Sequence, residues 1–527
     1  MSRRVRRDKD RPPVSRRKGA FPVVDIFAGP GGLGEGFSAY TRTDGSRPFR
    51  IAVSIEQNET AHATLELRSF YRQFPPGEVP AEYYGHLRGE VTRDELFRQH
   101  EKAANAAKAD AWCCELGVVD EDEVDRRVAA AIDGHDAWAL IGGPPCQAYS
   151  LAGRSRMRTS NPDKFENDPR HFLYREYLRL IARHRPPVFV MENVKGLLSA
   201  THDGSNMFQR IVDDLTEPAR VVRGSRGLRY NLHALSVPKQ KSLLSDTYSP
   251  DDFVLRAEEY GIPQARHRVI IVGVRDDTRR RPAILTPTSV RTPLRDVIYD
   301  LPRLRSRISR GMDSAEEWKD AIRECAAVLR KKPTNESLRR YLATLHLDGV
   351  ANLQAGLDFV PWKKKPKFRS DWYVDSELRG VCNHVSRHHL RSDIQRYFFV
   401  SAFAASMHEM ARSPQLVDFP PFLLPNHENV QEALNGTMFG DRFRVQVADR
   451  PSTTVTSHIS KDGHYYIHPD PLQARSLTVR EAARIQTFPD NYFFCGPRTS
   501  QYHQVGNAVP PLLAWEIASV VAGVLSG

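Results

Sequence analysis

The chain has 527 residues, is 40% hydrophobic and carries a formal net charge of +12 at pH 7. A chain of this length forms about two to four domains, and its basic excess favours a polyanionic partner such as nucleic acid. The six cysteines have no regular spacing, which disfavours a disulfide-rich secreted scaffold and indicates a cytoplasmic protein. No apolar stretch approaches the roughly 18 residues that span a membrane, and the arginine-rich N-terminus is unlike a signal peptide.

The N-terminal part begins with a basic arm and continues as a strand, a glycine-rich turn and a helix. Residues 1–20 offer almost nothing apolar to bury, so they are predicted to be disordered and to touch phosphates without reading sequence. A buried strand is predicted at Val23–Phe27 and a helix from Leu33 to Tyr40. The glycines between them let the backbone turn sharply and approach a ligand.

This turn has the features of a nucleotide-binding loop. Gly29, Gly31 and Gly34 satisfy the pattern G-x-G-x-x-G, and a second apolar strand, Ile51–Ile55, ends in Glu56, a carboxylate suited to a ribose hydroxyl pair. The pattern predicts a cofactor that contains adenosine, without saying which one. A nicotinamide-dependent oxidoreductase is one hypothesis that it leaves open.

The stretch LIGGPPCQAYS, residues 140–150, presents a single cysteine on a stiff loop. A short strand, Trp138–Ile141, is predicted to enter it after a charged, alanine-rich insertion at 75–135, in which Gly89–Val91 is predicted to end a third strand. The Gly-Gly-Pro-Pro run continues neither a strand nor a helix, so Cys146 is expected just past a strand end, where open α/β sheets place their chemistry. A proline-held loop suits a reacting thiolate.

Two more stretches carry polar groups at strand ends, and the first of them is expected on the same sheet edge as Cys146. A buried strand at Pro186–Val190 is followed by Glu192, a candidate general acid. Before the apolar strand Val269–Val274 stand Gln264, Arg266 and Arg268, which alternate along an extended chain and are expected to face one site. Arginines there would bind phosphate or a base carbonyl.

The segment following the cysteine is basic and polar, and two interpretations stay open: a mobile flap that orders on a phosphate backbone, or a plain surface loop. The residues expected to contact nucleic acid in it are Ser150, Arg154, Arg156 and Arg158. Between about 280 and 445 strand–helix alternation fades, with a helical stretch at 314–346, which indicates a second domain that reads the partner. Its basic run contains Lys363, Lys364 and Lys365 beside Trp362, an arrangement that suits nucleic acid although linkers share it.

The C-terminal part returns to regular structure. An extended stretch is predicted at 450–459, a threonine-capped helix at 477–489, a turn at 502–511 and an apolar helix at Leu512–Leu525 that packs back on the first sheet. Cys382, His384, His388 and His389 fit no usual zinc spacing, so no metal site is predicted.

Taken together, the motifs resemble those of the DNA (cytosine-5) methyltransferases and follow that family's order. The matching stretches are DIFAGPGGLGEGF, GGPPCQAYS, MENVKG, QARHRVIIVG, RPSTTVTSHI, LTVREAARIQTFPD and QVGNAVPP. The resemblance implies an α/β fold, a Rossmann-like methyltransferase sheet with helices on both faces, plus a smaller irregular target-recognition domain. The predicted domains are a catalytic domain at 21–280, a target-recognition domain at 281–475 and a return segment at 476–527.

The resemblance also implies roles for individual residues. Cys146 resembles the nucleophile that adds to C6 of cytosine, Glu192 the acid at N3 and the exocyclic amine, and Arg268 the arginine near the base O2. Asn193 resembles the residue that supports the acid and the proline loop, with Gln264 and Arg266 beside them. The residues implied for S-adenosylmethionine, which leaves as S-adenosylhomocysteine, are Asp25, Phe27, Ala28, Gly29, Gly31, Gly32, Leu33, Glu56, Gln57, Glu90, Pro144, Asn507, Ala508 and Val509. Glu90 stands where the family usually has an aspartate near the adenine.

The chemistry agrees with these roles. Thiolate addition at C6 makes C5 of cytosine enamine-like, and a proton or hydrogen bond at N3 stabilises the developing charge. Because the target carbon is shielded in a stacked duplex, the base must flip out. The sequence therefore predicts a DNA cytosine-5 methyltransferase acting on double-stranded DNA, with companion restriction or phage-defence proteins as further partners. Two further hypotheses stay open: an RNA (tRNA) cytosine-5 methyltransferase, and a catalytically silent nucleic-acid-binding scaffold.

Overall fold

The computed structural model describes residues 19–145, 170–202, 205–222, 227–236, 248–347, 353–407, 410–426, 430 and 441–526. The strands in these ranges are β1 (Phe21–Ile26), β2 (Phe49–Glu56), β3 (Ala111–Cys113), β4 (Ala139–Gly142), β5 (Val188–Val194), β6 (Thr201–His202), β7 (Ser205–Asn206), β8 (Tyr230–His233), β9 (Val254–Arg256), β10 (Gln264–Ala265), β11 (His267–Arg275), β12 (Arg307–Ile308), β13 (Gly356–Pro361), β14 (Gly380–Val385), β15 (His388–His389) and β16 (Ser452–Thr453).

The helices alternate with strands in the first part of the chain and cluster in the second. They are α1 (Gly32–Ala39), α2 (Glu59–Arg72), α3 (Ala81–Leu87), α4 (Arg93–Gln99), α5 (Glu101–Asp110), α6 (Glu121–Ile132), α7 (Arg170–His184), α8 (Met207–Thr216), α9 (Arg295–Ile298), α10 (Ala315–Lys331), α11 (Glu336–Thr344), α12 (Ser370–Tyr373), α13 (Arg391–Ser406), α14 (Val479–Ile485), α15 (Arg498–Asn507) and α16 (Pro511–Leu525).

The main sheet has eight strands in the order β3-β2-β1-β4-β5-β11-β8, with β9 also pairing with β11. The strands from β3 to β5 are parallel to their neighbours, whereas β11 is antiparallel to β5. The carboxyl ends of β1, β2, β4 and β5 therefore meet the beginning of β11 at one edge. This is the edge at which open α/β sheets bind their ligands.

Both faces of this sheet are covered, because its central strands are apolar at successive positions, which point to opposite faces. Val24, Leu140 and Phe189 lie in a core with helices α6, α7 and α8. Val23 and Ile141 lie in the opposite core with α1 and α16. The predicted return of the last helix to the first sheet is confirmed, and so is the Rossmann-like α/β fold.

The packing of α1 on α16 requires a glycine. A Cβ on Gly32 would lie 2.2 Å from the Val509 carbonyl oxygen. We expect Gly32→Ala to lower the free energy of unfolding by roughly 1–3 kcal/mol, measured by urea denaturation. The matched control is Gly523→Ala in α16, where nothing lies within 4 Å of the added Cβ. It should leave stability unchanged or raise it by up to about 1 kcal/mol. Equal stability of Gly32→Ala and the parent chain would contradict the close approach.

The second half of the chain contributes two further cores. One contains side chains of α10, α11 and α13 together with Phe443, Val445 and Ile467. The other joins residues around α9 and the β13–β14 hairpin to α14 and α15. The helical prediction at 314–346 is confirmed by α10 and α11. The domain boundaries at 280 and 475 stay predictions.

Two local predictions are wrong. Gly89–Val91 is not a strand: the third strand is β3, which pairs with β2 and lies inside the segment 75–135 that the composition predicts as an insertion. The stretch 502–511 is helical as far as Asn507 instead of being a turn.

The helical run Arg498–Leu525 does meet the length and composition of a membrane span among the described residues, but 78% of its most apolar window is buried, as expected of a core helix.

Candidate active site

An acidic and a basic side chain meet at the edge where β5 ends and β11 begins. Arg268 pairs with Val194 in the antiparallel register, which brings its side chain beside Glu192. The Arg268 Nε lies 2.9 Å from the Glu192 Oε1, and the two side chains are only 11% and 14% exposed. The carboxylate is thus held in one orientation by a partly buried guanidinium.

The loop that leaves β4 passes directly over this pair. A Cβ on Gly143 would lie 2.7 Å from the Glu192 Oε2, so a larger residue there would force the carboxylate to move. On the other side of β5 the amide nitrogen of Asn193 donates to the Pro144 carbonyl oxygen at 3.3 Å. Asn193 also accepts from the Val194 backbone N–H at 2.8 Å. The acid and the start of the proline loop are therefore positioned by one strand.

The predicted nucleophile, Cys146, follows Pro145, the last residue of this loop that the structure describes. Cys146, Ser150, Arg154, Arg156 and Arg158 lie outside the described residues. Within the described residues, Gly143 of this loop lies against Glu192.

Gln264 and Arg266 do not face the site with Arg268, which corrects the expectation from their alternation. Gln264 is 0% and Arg266 is 1% exposed, because a break between β10 and β11 turns both inward. Gln264 accepts from the Val455 N–H at 2.8 Å, and Arg266 donates to the carbonyl oxygens of Val455 at 2.6 Å and Gly506 at 3.2 Å. Burial holds the pKa of Arg266 well below its usual range, and the nearby charge of Arg268 lowers it further. These two residues tie the C-terminal segments to the strand that carries Arg268.

The cofactor side of the same edge is built around Glu56. Its two carboxylate oxygens accept from the N–H groups of Gly29 and Asn58, each at 2.8 Å, and burial raises its pKa. Gly29 has a φ of 57°, and a Cβ placed on it would meet nothing within 4 Å. Open space over a left-handed glycine, flanked by a carboxylate, is the shape that a ribose-bearing ligand needs.

The other implied cofactor residues divide into accessible and buried groups. Phe27 and Ala28 are half-buried, and Gln57 and Asn507 are exposed. Leu33, Ala508 and Val509 are buried, at 6%, 4% and 6% exposure, so their side chains serve the core. A ligand would therefore contact these three residues through their backbone groups.

Glu90 is not at the end of a strand, which corrects its assignment to the adenine. It is exposed in the connection between α3 and α4, where its Oε1 lies 2.8 Å from the Arg88 Nε. The third strand instead ends at Cys113, which lies opposite Glu56 in the β2–β3 register. No local pattern indicates β3, because three residues are too few for a periodic signal.

Sequence reasoning also missed a group that holds the glycine turn. The hydroxyl of Tyr492, which is fully buried, donates to the Pro30 carbonyl oxygen. Arg68 in α2 donates to both carboxylate oxygens of Glu35 in α1 and, at 3.0 Å, to the amide oxygen of Asn491. Asn491 and Tyr492 of the return segment thus hold the glycine turn in place. Nothing in the local sequence predicts the contacts of Tyr492 and Asn491, since their partners are hundreds of positions away.

Comparison with known proteins decides the family. The C-5 cytosine-specific DNA methylase family matches residues 104–218 and 239–522. The chain belongs to this family. Among curated relatives, the type II methyltransferase M.Bpa9945I of Bacillus paralicheniformis is 30% identical over 524 residues, covering 96% of this chain and 99% of that protein. The DNA (cytosine-5-)-methyltransferase M.ApeKI of Aeropyrum pernix is 25% identical, covering 96% and 99%.

A solved structure agrees with the fold of this methylase. A putative DNA modification methyltransferase encoded within a prophage (E. coli) matches with a TM-score of 0.50 and 16% identity, covering 96% of this chain and 100% of that one. The resemblance that the motifs indicate is therefore confirmed at the level of the family, and the fold follows it.

The methylase keeps a carboxylate buried at the end of β1. Asp25 is 1% exposed, and the backbone N–H of Gly34 is the nearby donor that opposes the effect of its burial. Burial raises its pKa from 3.8 to about 7, against the opposing charge of Arg72. Folded Asp25 is therefore protonated at pH values at which the unfolded chain is ionised.

This shift predicts a pH dependence of stability. Between about pH 4 and 7 the folded state binds the extra proton, so stability falls as the pH rises through this window and levels off above it. We expect the titration of Asp25 to lower the free energy of unfolding of the parent chain by roughly 2–3 kcal/mol between pH 5 and 8. Asp25→Asn should remove this decrease, which is measured by urea denaturation at each pH. Asp133→Asn, at a position after α6, is the control. Parallel pH profiles of Asp25→Asn and the parent chain would contradict the shift.

Two other predictions concern surfaces away from this edge. Lys363, Lys364 and Lys365 are exposed after β13, with the Lys364 Nζ 5.6 Å from the Trp362 ring centroid. Their contact with DNA stays a prediction.

Among the described residues no group of three or more His, Cys, Asp or Glu side chains is arranged to hold a metal ion.

Proposed function

We propose that this methylase transfers a methyl group from S-adenosylmethionine to C5 of a flipped-out cytosine in duplex DNA, through a covalent bond between Cys146 and C6. The observation that supports this most directly is the position of Glu192. It is held by Arg268 and lies against Gly143, at the start of the loop that leads to Cys146.

The residues at the glycine turn fit the methyl donor. Glu56 would hold the ribose hydroxyls, Phe27 would lie along the adenine, and the backbone of Gly29 and Gly31 would let the methionine part approach. Asn507 would close over the cofactor from the return segment. When bound, S-adenosylmethionine supplies an electrophilic methyl group on a sulfonium.

The protein's own groups would act on the cytosine in sequence. The Cys146 thiolate adds to C6, and Glu192 gives a proton or hydrogen bond to N3, so that C5 becomes the nucleophilic carbon of an enamine. Arg268 orients Glu192 and would hold the base oxygen. After C5 has been methylated, a base removes its proton and Cys146 leaves as a thiolate, which restores the ring. Cysteine suits both steps because its thiolate is a strong nucleophile and a good leaving group.

The DNA substrate would be held by basic side chains around this edge. Ser150, Arg154, Arg156 and Arg158 follow Cys146 in the sequence and would contact the backbone beside the opened base pair. Lys363, Lys364 and Lys365 would add phosphate contacts elsewhere. The relatives named type II methyltransferases suggest a companion restriction or other phage-defence protein, and a DNA substrate suits a cytoplasmic enzyme.

The test is transfer of a labelled methyl group from S-adenosylmethionine to duplex DNA, with tRNA as a competing substrate. The expected product is 5-methylcytosine in DNA, located by bisulfite sequencing, together with S-adenosylhomocysteine. Methyl incorporation into tRNA alone would overturn the proposal in favour of an RNA methyltransferase. Cofactor binding without transfer to either would favour a silent scaffold.

A further inference from the structure

The edge of the main sheet opposite the active site is rich in arginine. The parallel strands β1, β2, β4 and β5 begin at this edge, and the antiparallel β11 ends there. Arg268 lies near the start of β11 and Arg275 at its end, so about 24 Å separate them at roughly 3.4 Å per residue. A straight duplex seated over Glu192 and Arg268 therefore does not reach Arg275. We refer to the following exposed and half-buried side chains as the arginine edge: Arg42, Arg185, Arg275, Arg279, Arg280 and Arg281.

The segment that follows β11 holds three consecutive arginines on the surface. At its start the Asp276 N–H donates to the Arg229 carbonyl oxygen at 3.1 Å. At its end the buried Leu285 donates its N–H to the Leu235 carbonyl oxygen at 2.9 Å. Between these two anchors the arginines at positions 279–281 are exposed. They are therefore presented to solvent by a backbone that is fixed at both ends.

Contacts at the end of α16 join this segment to the beginning of the sheet. The Arg280 Nη1 donates to the Gly523 carbonyl oxygen at 3.4 Å, and the Arg42 Nη2 donates to the Ser526 hydroxyl oxygen at 2.6 Å. The end of α16 therefore lies between these two arginines. The Arg42 guanidinium also lies 5.8 Å from the centroid of the Phe21 ring, at the first residue of β1.

The arginine edge continues past β5 and β11 to β8. The Arg275 Nη1 donates to the carbonyl oxygen of Arg185, which is exposed before β5. Burial lowers the pKa of His233 on β8, and the nearby charge of Arg281 lowers it further, so Arg281 lies beside this strand. The guanidinium groups therefore extend across the sheet from the start of β1 to β8.

The carboxylates around these arginines leave most of the positive charge uncompensated. Asp44, Asp276 and Asp277 are exposed beside them. The Asp277 Oδ1 lies 2.7 Å from the Arg275 Nε, with 62% of the aspartate side chain exposed, so this ion pair is weak and a phosphate can replace the carboxylate. Within the described parts of the chain, the arginines at 279–281 form no ion pair with a carboxylate.

This composition suits the backbone of duplex DNA. Guanidinium groups present paired donors that match phosphate oxygens, and phosphate contacts need no particular base sequence. The stretch 43–47 beside Arg42 is polar and exposed, whereas a protein interface has an apolar centre. The basic sequence of residues 1–18 is covalently joined to this edge, because it precedes β1. These observations favour DNA over an acidic protein as the partner.

We propose that the arginine edge binds the phosphate backbone of a second segment of duplex DNA, outside the segment that holds the target cytosine. The contact is independent of sequence, and it keeps the methylase on a long DNA molecule while the active edge releases a methylated site. The inference rests on the proposed function for its substrate and adds a second binding surface to it. A long DNA that bends or loops reaches both edges, whereas a short duplex reaches one.

The test asks whether the full chain holds a second duplex while its active edge is occupied. A short duplex with 5-fluorocytosine at the target position is trapped as the covalent adduct, and a second, fluorescently labelled duplex without a target cytosine is titrated at several salt concentrations. The parent chain should bind the second duplex with an affinity that falls as the salt concentration rises. The triple variant Arg279→Gln, Arg280→Gln and Arg281→Gln should bind it roughly tenfold or more weakly, with a salt slope reduced by about 3.

The matched control removes the same charge elsewhere on the surface. Arg98→Gln, Lys102→Gln and Arg126→Gln change exposed cations of α4, α5 and α6, and this variant should bind the second duplex like the parent chain. Adduct formation and methylation of the short duplex should be equal in all three proteins, which shows that the variants fold. Equal binding of the second duplex by the triple arginine variant and the parent chain would overturn the inference, and an acidic protein would then be the partner that this edge fits.

A second measurement does not depend on the adduct. The affinity of the chain for a long DNA is compared with its affinity for the short duplex, without cofactor. The preference of the parent chain for long DNA should fall several-fold in the triple arginine variant, because long DNA alone engages both edges at once. An unchanged preference would contradict the inference. Absence of both adduct and methylation in the parent chain would instead count against the proposed function.

Discussion

Cys146→Ser is expected to abolish methyl transfer to DNA, by roughly ten-thousand-fold or more. A serine hydroxyl stays protonated near neutral pH and cannot supply the anion that adds to C6. Methylation of labelled duplex should fall below detection, whereas calorimetric binding of S-adenosylmethionine should persist, because none of the described groups at the glycine turn is altered.

The matched control is Cys325→Ser, which changes a cysteine of α10 in a separate core and should leave turnover within a few-fold of the parent. A duplex with 5-fluorocytosine at the target position sharpens the test, since it offers no C5 proton for the last step. The parent chain should form an adduct with it that survives denaturing electrophoresis, and Cys146→Ser should not. Substantial turnover by Cys146→Ser would remove the covalent mechanism.

Sequence patterns predicted the parts of this fold that depend on local periodicity. The strand at Val23–Phe27, the apolar run before Arg275 and the final helix each follow from burial on one or both sides, and the structure has β1, β11 and α16 there. The position of Glu192 after an apolar strand was enough to place it at the edge of the cysteine loop, whereas the place of Arg268 at the base came from the resemblance to the family. The antiparallel direction of β11 is what makes them neighbours, and no local pattern indicates strand direction.

The misplaced residues share a cause. Alternation predicted one face for Gln264, Arg266 and Arg268, but a break between two short pairings rotates the first two into the interior. Arginine without a carboxylate partner is rarely buried, so the composition favoured exposure. The prediction for Glu90 was wrong for a different reason. A carboxylate beside an apolar residue resembles a strand end, whereas the third strand, β3, is only three residues long. Both errors come from tertiary pairing, which decides register where local signals are weak.

The ion pair between Glu192 and Arg268 provides the second large effect. We expect Glu192→Gln to reduce turnover by roughly 10²- to 10⁴-fold, because the amide cannot deliver a proton to N3. Arg268→Leu should have a comparable effect, since it leaves Glu192 unoriented beside Gly143 and removes the nearby positive charge. Single-turnover methylation on one duplex, at saturating cofactor, measures both.

Combining the two substitutions shows whether Glu192 and Arg268 act together in one step or have separate roles. If Arg268 acts by orienting Glu192, then the double variant Glu192→Gln with Arg268→Leu should be little worse than either single variant, because the second change removes an interaction that the first has already disabled. The pair Asp393 and Arg396 in α13 is a matched control. Its Nη1–Oδ1 distance is 2.7 Å and its side chains are 13% and 12% exposed, so Asp393→Asn and Arg396→Leu should alter stability but not the chemical step. Strict additivity at Glu192 and Arg268 would mean that the arginine binds the base independently of the acid, which would separate two roles that the geometry joins.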